Sequence, residues 1–240
     1  MTMWQFETEL ADVTQRTPSI KSFRFPVRAK GVRYRSGQFF FITILIDGQE
    51  ADHHFSFSSS PTEKGFIEFT KRLTGSPFSQ ALGKLQPGAW ARIKGPFGSF
   101  VLPRNPQKLS FMGGGIGITP LRSMIRYSLD RRLPHDIVLI YGNPNVEETA
   151  FREELEAIKG LPGPSVRIEH VLSGPGIPDG WKGRTGFMNS QLVAEVMPDY
   201  MDRLHYISGP PKMVAAIKEQ MEALGCPLGR IKVDSFTGYD

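Results

Sequence analysis

The run KLSFMGGGIGITPLRSMIRYSLD, Lys108 to Asp130, with DIVLIY from Asp136 to Tyr141 after it, decides the fold. KLSFM reads as a strand and the glycines as a loop. TPLRSMIRYSLD has the apolar spacing of a helix, and DIVLIY is the continuous apolar run of a strand covered on both faces. Outward from this unit the alternation continues through helix 146–158, strand 165–172, helix 189–197, strand 203–208, helix 211–224 and strand 230–236. Five strands with crossover helices predict a Rossmann-like α/β domain, a parallel sheet with helices on both faces.

Upstream, from Trp4 to Leu102, the pattern is different. Short apolar or alternating runs (FRF, FFFITILI, FSF, GFIEFTKR, WARIK) are rich in Phe, Ile and Thr and are broken by Gly, Pro and Asp-Gly. An antiparallel barrel or sandwich is expected there, interrupted by one short helix from Pro77 to Leu82 with Ser76 as its cap. The boundary falls between Leu102 and Lys108, giving domains 1–103 and 107–240.

Composition narrows the function classes. The 240 residues are 40% hydrophobic and 22% charged, an ordinary globular balance, and the apolar run Phe39 to Ile46 is far short of the ~20 residues of a membrane helix. No membrane span is expected, and the acidic amino terminus argues for a cytoplasmic protein. Cys226 is the only thiol, so the chain cannot supply the four thiolates of an iron-sulfur cluster. The five histidines show no metal-ligand spacing, and no metal site is expected. A net charge of +5 favours an anionic partner, but the basic residues are scattered and no nucleic-acid signature is present.

Four glycines within five positions, Gly113, Gly114, Gly115 and Gly117, exceed what a tight turn needs. Placed between the first parallel strand and its helix, they let the backbone approach phosphate oxygens, and free amides at the helix start favour negative charge. No Gly-Lys-Ser/Thr closes the loop, which disfavours nucleoside triphosphate hydrolysis. Pro120 stands where a dehydrogenase fingerprint would have its third glycine, and the second strand ends in Tyr141-Gly142-Asn143 without a ribose-binding acid.

Taken in order along the chain, the motifs resemble those of the ferredoxin:NADP reductase-like flavoprotein superfamily, here without an iron-sulfur domain. HHFSFSSSP, His53 to Pro61, is similar to that family's Arg-x-Tyr-Ser flavin motif, and GPFGSF, Gly95 to Phe100, to the end of its flavin barrel. GGGIGITP, YISGPP from Tyr206 to Pro211 and VDSF from Val233 to Phe236 match its nucleotide half. The resemblance implies an FAD-binding β-barrel followed by an NAD(P)-binding domain, with FAD and NADH or NADPH as cofactors.

Carried over residue by residue, the resemblance assigns Phe55 to the aromatic packing on the flavin ring. Ser56 takes the position that reaches the hydride-accepting nitrogen, and Phe57 and Ser58 continue the motif. His53 takes the arginine position at the flavin diphosphate, where a neutral imidazole is a weaker ligand than a guanidinium. The strand Phe69, Thr70 and Lys71 would contact the flavin mainly through backbone. Gly75 to Ser79 matches a diphosphate segment, with Ser76, Phe78 and Ser79 as candidates and simple helix capping by Ser76 as the competing reading. Gly113, Gly114, Gly115, Ile116, Gly117, Thr119 and Pro120 would hold the dinucleotide, which Gly209 and Pro210 would let pass over a strand end. Ser56, Ser208 and Asp234 are the catalytic candidates, Ser208 replacing a cysteine of many relatives. Either Phe236 or Tyr239 would cover the flavin.

The implied reaction is hydride transfer from NAD(P)H to FAD and onward release of single electrons, with the nicotinamide held within about 3 to 3.5 Å of the flavin in the crevice between the domains. Ser173, followed by Gly174 and Pro175, lacks the arginine of NADPH-specific relatives, and Pro144 replaces another. Arg184 or Lys182 could serve instead, so NADH is favoured and NADPH left open. The acceptor expected from the basic balance is an acidic carrier such as ferredoxin or flavodoxin. A ferric, flavin or quinone reductase and an electron-entry subunit of a larger complex are the alternatives.

Overall fold

In the amino-terminal half, alternating residues form seven strands and one helix: β1 (Trp4–Glu9), β2 (Asp12–Thr17), β3 (Ile20–Pro26), β4 (Phe39–Ile46), β5 (Gln49–Ser56), β6 (Phe66–Arg72), α1 (Pro77–Lys84) and β7 (Trp90–Phe97). The computed structural model describes residues 2–105, 107–158, 161 and 163–236. The strands pair antiparallel in two sheets, ordered β1-β7-β4-β5 and β2-β3-β6. Strand β4 shows why: Phe40, Ile42 and Ile44 are fully buried, while Phe41 and Leu45 between and beyond them are exposed. The inward residues fill one core shared by both sheets, where Phe40 and Ile42 meet Phe23, Phe25 and Phe69, although Thr43 on the other face is buried as well.

Strand β5 starts well before the FSF run that marks it in the sequence. Its first residues, Gln49 to His54, are mostly polar, but they pair with β4 across the turn Asp47-Gly48, both at positive φ (51° and 78°). That is the hairpin geometry an Asp-Gly pair favours, and it extends the strand through residues whose polarity hides it.

In the carboxy-terminal half, β8 (Lys108–Gly114), β9 (Asp136–Asn143), β10 (Ser165–Leu172), β11 (Arg184–Thr185), β12 (Leu204–Gly209) and β13 (Ile231–Ser235) alternate with α2 (Ile118–Asp130), α3 (Arg152–Ala157), α4 (Ser190–Val196) and α5 (Pro211–Ala223). The strands are parallel and ordered β11-β10-β9-β8-β12-β13. The sheet therefore has six strands where the sequence predicts five. The additional β11 is two residues long, too short for any periodicity to register, and exists only through pairing with Val171 and Leu172. Helix α3 is shorter than its 146–158 expectation. Asn145 Oδ1 accepts from the Glu148 amide and Thr149 Oγ1 donates to Asn145 O, forming a side-chain-held turn, and Phe151 at φ 59° ends it before the helix can start.

Contacts divide the chain into two compact units: residues up to Leu102 together with Arg122–Tyr127, and Pro103–Leu121 together with the described residues from Ser128 onward. In the second unit, Met112, Ile140 and Ile207 pack on α4 and α5 through Val193, Val214 and Ile217. The end of this sheet at which its strands begin is clamped by Arg203, 3% exposed, which donates to Asp199 (2.7 Å), Asp136 (2.8 Å) and the Leu109 carbonyl (3.1 Å). Among the described residues no helix is long and apolar enough to cross a membrane.

Candidate functional site

The strand order of the second unit reverses between β8 and β12, and at such a point the loops leaving the two strand ends diverge and open a crevice. The glycine loop leaves β8 there. Gly113 and Gly114 end the strand, Gly115–Gly117 form one tight turn, and α2 begins at Ile118, with Thr119 Oγ1 donating to Ile116 O (3.2 Å) and Pro120 buried in the first turn. Two of these glycines are demanded by geometry. A Cβ at Gly117 would lie 2.2 Å from the Ser208 carbonyl and 2.5 Å from Gly209 Cα, so the turn can rest on β12 only without a side chain. Gly115 sits at φ +52° with open space where a Cβ would point.

Tyr141, read from the sequence only as strand, supports this loop from below: its hydroxyl donates to Gly115 O (3.1 Å) and lies 3.3 Å from Ala150 O. A tyrosine in an otherwise aliphatic run was the available signal, since a buried phenol must find a partner.

Across the reversal, Ser208 is in register with Gly113 on one side and Asp234 on the other. The Phe236 amide donates to Gly209 O (3.0 Å), and Pro210 opens α5. Ser208 is fully buried and its Oγ makes no hydrogen bond among the described residues, leaving a donor and an acceptor for a ligand atom. The fold thus brings Gly113 to Pro120, Ser208, Gly209, Asp234 and Phe236 together. Tyr239, the alternative to Phe236, lies outside the described residues.

Ser173 and Arg184 stand further along the sheet. The Ser173 and Gly174 amides donate to Asn143 O (3.0 Å) and Pro144 O (2.8 Å), tying two loops together, and Arg184 pairs with Glu195 at 2.8 Å. Asn143 is buried at the end of β9 with both side-chain amide atoms unpartnered among the described residues, a feature its sequence position did not announce. An open glycine turn at a helix start, a buried hydroxyl awaiting a partner and a strand end that excludes side chains fit a dinucleotide.

In the first unit, β5 is the edge of one sheet and β6 the edge of the other, so a seam runs between them, joined where the Ser58 and Ser59 amides both reach Glu68 O (2.8 and 3.3 Å). Aromatic rings fill it. Phe55, half-buried, stacks on Phe69 (centroids 4.3 Å apart, 8° between planes), and His53 stacks on Phe78 (4.0 Å, 13°). His53 is exposed, with Nδ1 2.6 Å from Asp52 O. Partial desolvation by its surroundings, then the neighbouring His53, hold the His54 pKa below its usual value.

The rest of the motif turns inward. Phe57 stacks on Tyr34 in the core (3.8 Å), and Ser58 Oγ donates to Glu68 (3.1 Å) while accepting from Thr70 (3.0 Å). Phe69, Thr70 and Lys71 are all buried. On β5, by contrast, His53 and His54 are exposed and Phe55 and Ser56 half-buried, so the flavin candidates His53, Phe55 and Ser56 all keep accessible surface. At α1, Ser76 Oγ accepts from the Ser79 amide (3.3 Å) and Ser79 Oγ accepts from the Thr74 amide (2.6 Å), so both serines hold the helix start. A seam of flat rings with strand edges on either side and a serine-lined helix start beside it fits a planar flavin with a phosphate tail.

Two domain families match. Residues 7–102 match the oxidoreductase FAD-binding domain and residues 111–219 the oxidoreductase NAD-binding domain. Among curated relatives, the F subunit of the Na(+)-translocating NADH-quinone reductase of Pseudoalteromonas atlantica is 31% identical over 233 residues, 91% of this chain and 56% of the relative. The glycine betaine monooxygenase reductase subunit of Pseudomonas aeruginosa is 27% identical over 229 residues, 93% of this chain and 62% of the relative. The chain spans about half the length of the curated relatives it matches, 48% for the F subunit of Pseudomonas paraeruginosa.

Solved structures share the fold: the ferredoxin reductase in carbazole 1,9a-dioxygenase (TM-score 0.83, 23% identity, 98% of this chain and 70% of that one) and a ferredoxin NADP+ reductase from Neisseria gonorrhoeae with bound FAD and NADP (TM-score 0.82, 20% identity, 96% and 98%). With an aromatic seam inside the FAD-binding match and a glycine turn inside the NAD-binding match, the chain belongs to the oxidoreductases that join an FAD-binding domain to an NAD-binding domain, in the fold shared with ferredoxin reductases.

Proposed function

We propose that this protein takes electrons from NADH in preference to NADPH and delivers them singly, through FAD, to an acceptor carried by a partner protein of acidic surface, ferredoxin or flavodoxin being examples. The observation that carries the reading is the glycine turn at the strand-order reversal, seated against β12 beside a buried Ser208 hydroxyl that no described residue engages. Bound FAD would supply the conversion of a two-electron donor into one-electron delivery.

The chain's own residues do the positioning. Amides of Gly115 to Gly117 and the start of α2 hold the dinucleotide's phosphates. Ser208 Oγ, on a buried side chain, offers a hydrogen bond to the dinucleotide, and Asp234, beside it in register, sets the charge at that strand end. Phe55 offers a ring face and Ser56 a hydroxyl to the flavin, with His53, Ser76, Phe78 and Ser79 on the phosphate side.

The preference for NADH rests on the far edge of the sheet. Arg184, the cation on the added strand β11, is already paired with Glu195, and Pro144 and Gly174 offer no charge. The net charge of +5 favours an acidic partner. Relatives named as a monooxygenase reductase subunit and a dioxygenase ferredoxin reductase support an acceptor borne by a protein.

A second reading is favoured by the NADH-quinone reductase relatives and by the chain's half-length match to them: an electron-entry module serving a quinone within a larger assembly. Anaerobic titration of the FAD-loaded protein separates the readings. Bleaching by NADH, with kcat/KM above that for NADPH and turnover of ferredoxin or flavodoxin that falls as salt rises, is the expected result. A clear NADPH advantage overturns the donor assignment, and salt-independent turnover with quinone alone overturns the carrier.

A further inference from the structure

Strand β5 ends at Ser56, so the rest of the flavin motif leaves that ladder and is held by other bonds. The Phe57 amide donates to Gln38 O (3.1 Å), and the Ser58 and Ser59 amides to Glu68 O. The carbonyls are answered by side chains from far along the chain. Arg122, 7% exposed, donates through Nη1 to Ser58 O (2.9 Å), and Ser123 Oγ donates to Ser59 O (2.7 Å). The Arg122 fork also spans Glu63, with Nη1 2.6 Å from Oε2 and Nη2 3.2 Å from Oε1, and Glu63 Oε2 accepts from the Ser60 amide (2.7 Å). One guanidinium thus fixes the backbone on both sides of Ser59.

By sequence, Arg122 stands two residues beyond Pro120 of the glycine segment, yet Arg122–Tyr127 of α2 pack with the first unit. Ser58, Ser59 and Ser60 are fully buried there. Tyr34, stacked on Phe57, donates to Ser59 O (3.1 Å) and accepts from Ser59 Oγ (2.9 Å). Burial pushes the Tyr34 phenol well above its ordinary value, which keeps it a donor. Among these contacts the arginine fork is the directional one, because a planar group shared by a carbonyl and a carboxylate fixes an orientation as well as a distance.

Phe55 and Ser56 therefore lie between two fixed points. On one side they pair in register with Phe40 and Phe39 of β4; on the other, two residues on, begins the segment that Arg122 holds. We propose that Arg122 is a positioning residue of the flavin site: by clamping the Ser58–Ser60 backbone it sets where Phe55 and Ser56 meet the flavin ring. The inference rests on the reading that the first unit holds FAD.

Its test is Arg122→Met in the full-length protein, read three ways: FAD affinity by fluorescence quenching, visible circular dichroism of the bound flavin, and the limiting rate of flavin reduction by NADH without oxygen. A displaced Ser56 predicts FAD about three- to tenfold weaker and an altered flavin dichroism. The limiting rate should fall about ten- to a hundredfold, since transfer depends steeply on sub-ångström placement, while the NADH concentration giving half that rate stays near the parent value. Arg122→Lys, with one ammonium for the same acceptors, should fall between. Should Arg122→Met fail to fold, Glu63→Gln, which removes one leg of the fork and keeps its shape, should show smaller changes in the same direction. A variant that melts earlier but keeps the parent dichroism and limiting rate would mean that Arg122 only packs; that result, or a loss confined to the NADH concentration required, overturns the proposal. A folded parent protein that binds no FAD would overturn the FAD reading itself, and the proposal with it.

Discussion

The two candidate sites are built from opposite materials. The glycine turn of the second unit works by absence: Gly117 must lack a side chain to lie against the Ser208 carbonyl, and Gly115 bends to φ +52°. The surface of the turn is mostly backbone. The seam of the first unit works by presence, with Phe55 on Phe69 and His53 on Phe78 filling the gap between two sheet edges. At Gly117 no added atom is tolerated, because the main chain of β12 cannot move aside, whereas an aromatic seam accepts exchange of one flat ring for another.

The most severe way to break the comparison is Gly117→Val. Its branched side chain would meet the Ser208 carbonyl and Gly209 Cα, so we expect a loss of about 1–3 kcal/mol in stability and of measurable NADH binding, with FAD binding retained. Thermal melting and separate titrations with NADH and FAD check this; a variant that binds NADH normally would refute the backbone account.

A milder effect is expected at Phe55→Ala. Losing the stack on Phe69 should weaken FAD about three- to tenfold, while Phe55→Tyr should leave affinity near the parent value. If tyrosine proves as damaging as alanine, the seam depends on shape more closely than ring exchange allows.

The smallest effect concerns acid. The Arg203 guanidinium beside Asp199 holds its carboxyl down at about 2, below its ordinary 3.8. A lowered folded value means that the stabilisation is complete above pH 3.8 and is lost as pH falls toward about 2. In the range between, Asp199→Asn should flatten the acid limb of the stability curve, read by near-ultraviolet circular dichroism. An unchanged curve would remove Asp199 from the clamp.

Much of this was legible because its causes are local. The glycine turn before α2 and Ser76 as the cap of α1 each follow from residues within a few positions, and each appears where the sequence puts it. Other features were hidden because the cause lies elsewhere in the chain. Polar residues between Gln49 and His54 form a strand because β4 pairs with them, and β11 exists only beside β10. Tyr141 supports Gly115 from a strand whose pattern reveals only burial. The inward turn of Phe57 and Ser58, neighbours of the half-buried Phe55 and Ser56 in one motif, follows from where the second sheet's edge lies.

By itself, then, the sequence determined two successive β-rich and α/β halves and the positions of their phosphate-friendly turns, since hydrophobic period and glycine placement act over short range. Tertiary structure alone decided that β5 and β6 are both edges, that Lys71 lies among their rings, and that Ser208 is buried beside the Gly117 turn with its hydroxyl unpartnered among the described residues. Those facts depend on which distant strands become neighbours, and that is set by the packing of the whole core rather than by any window of residues.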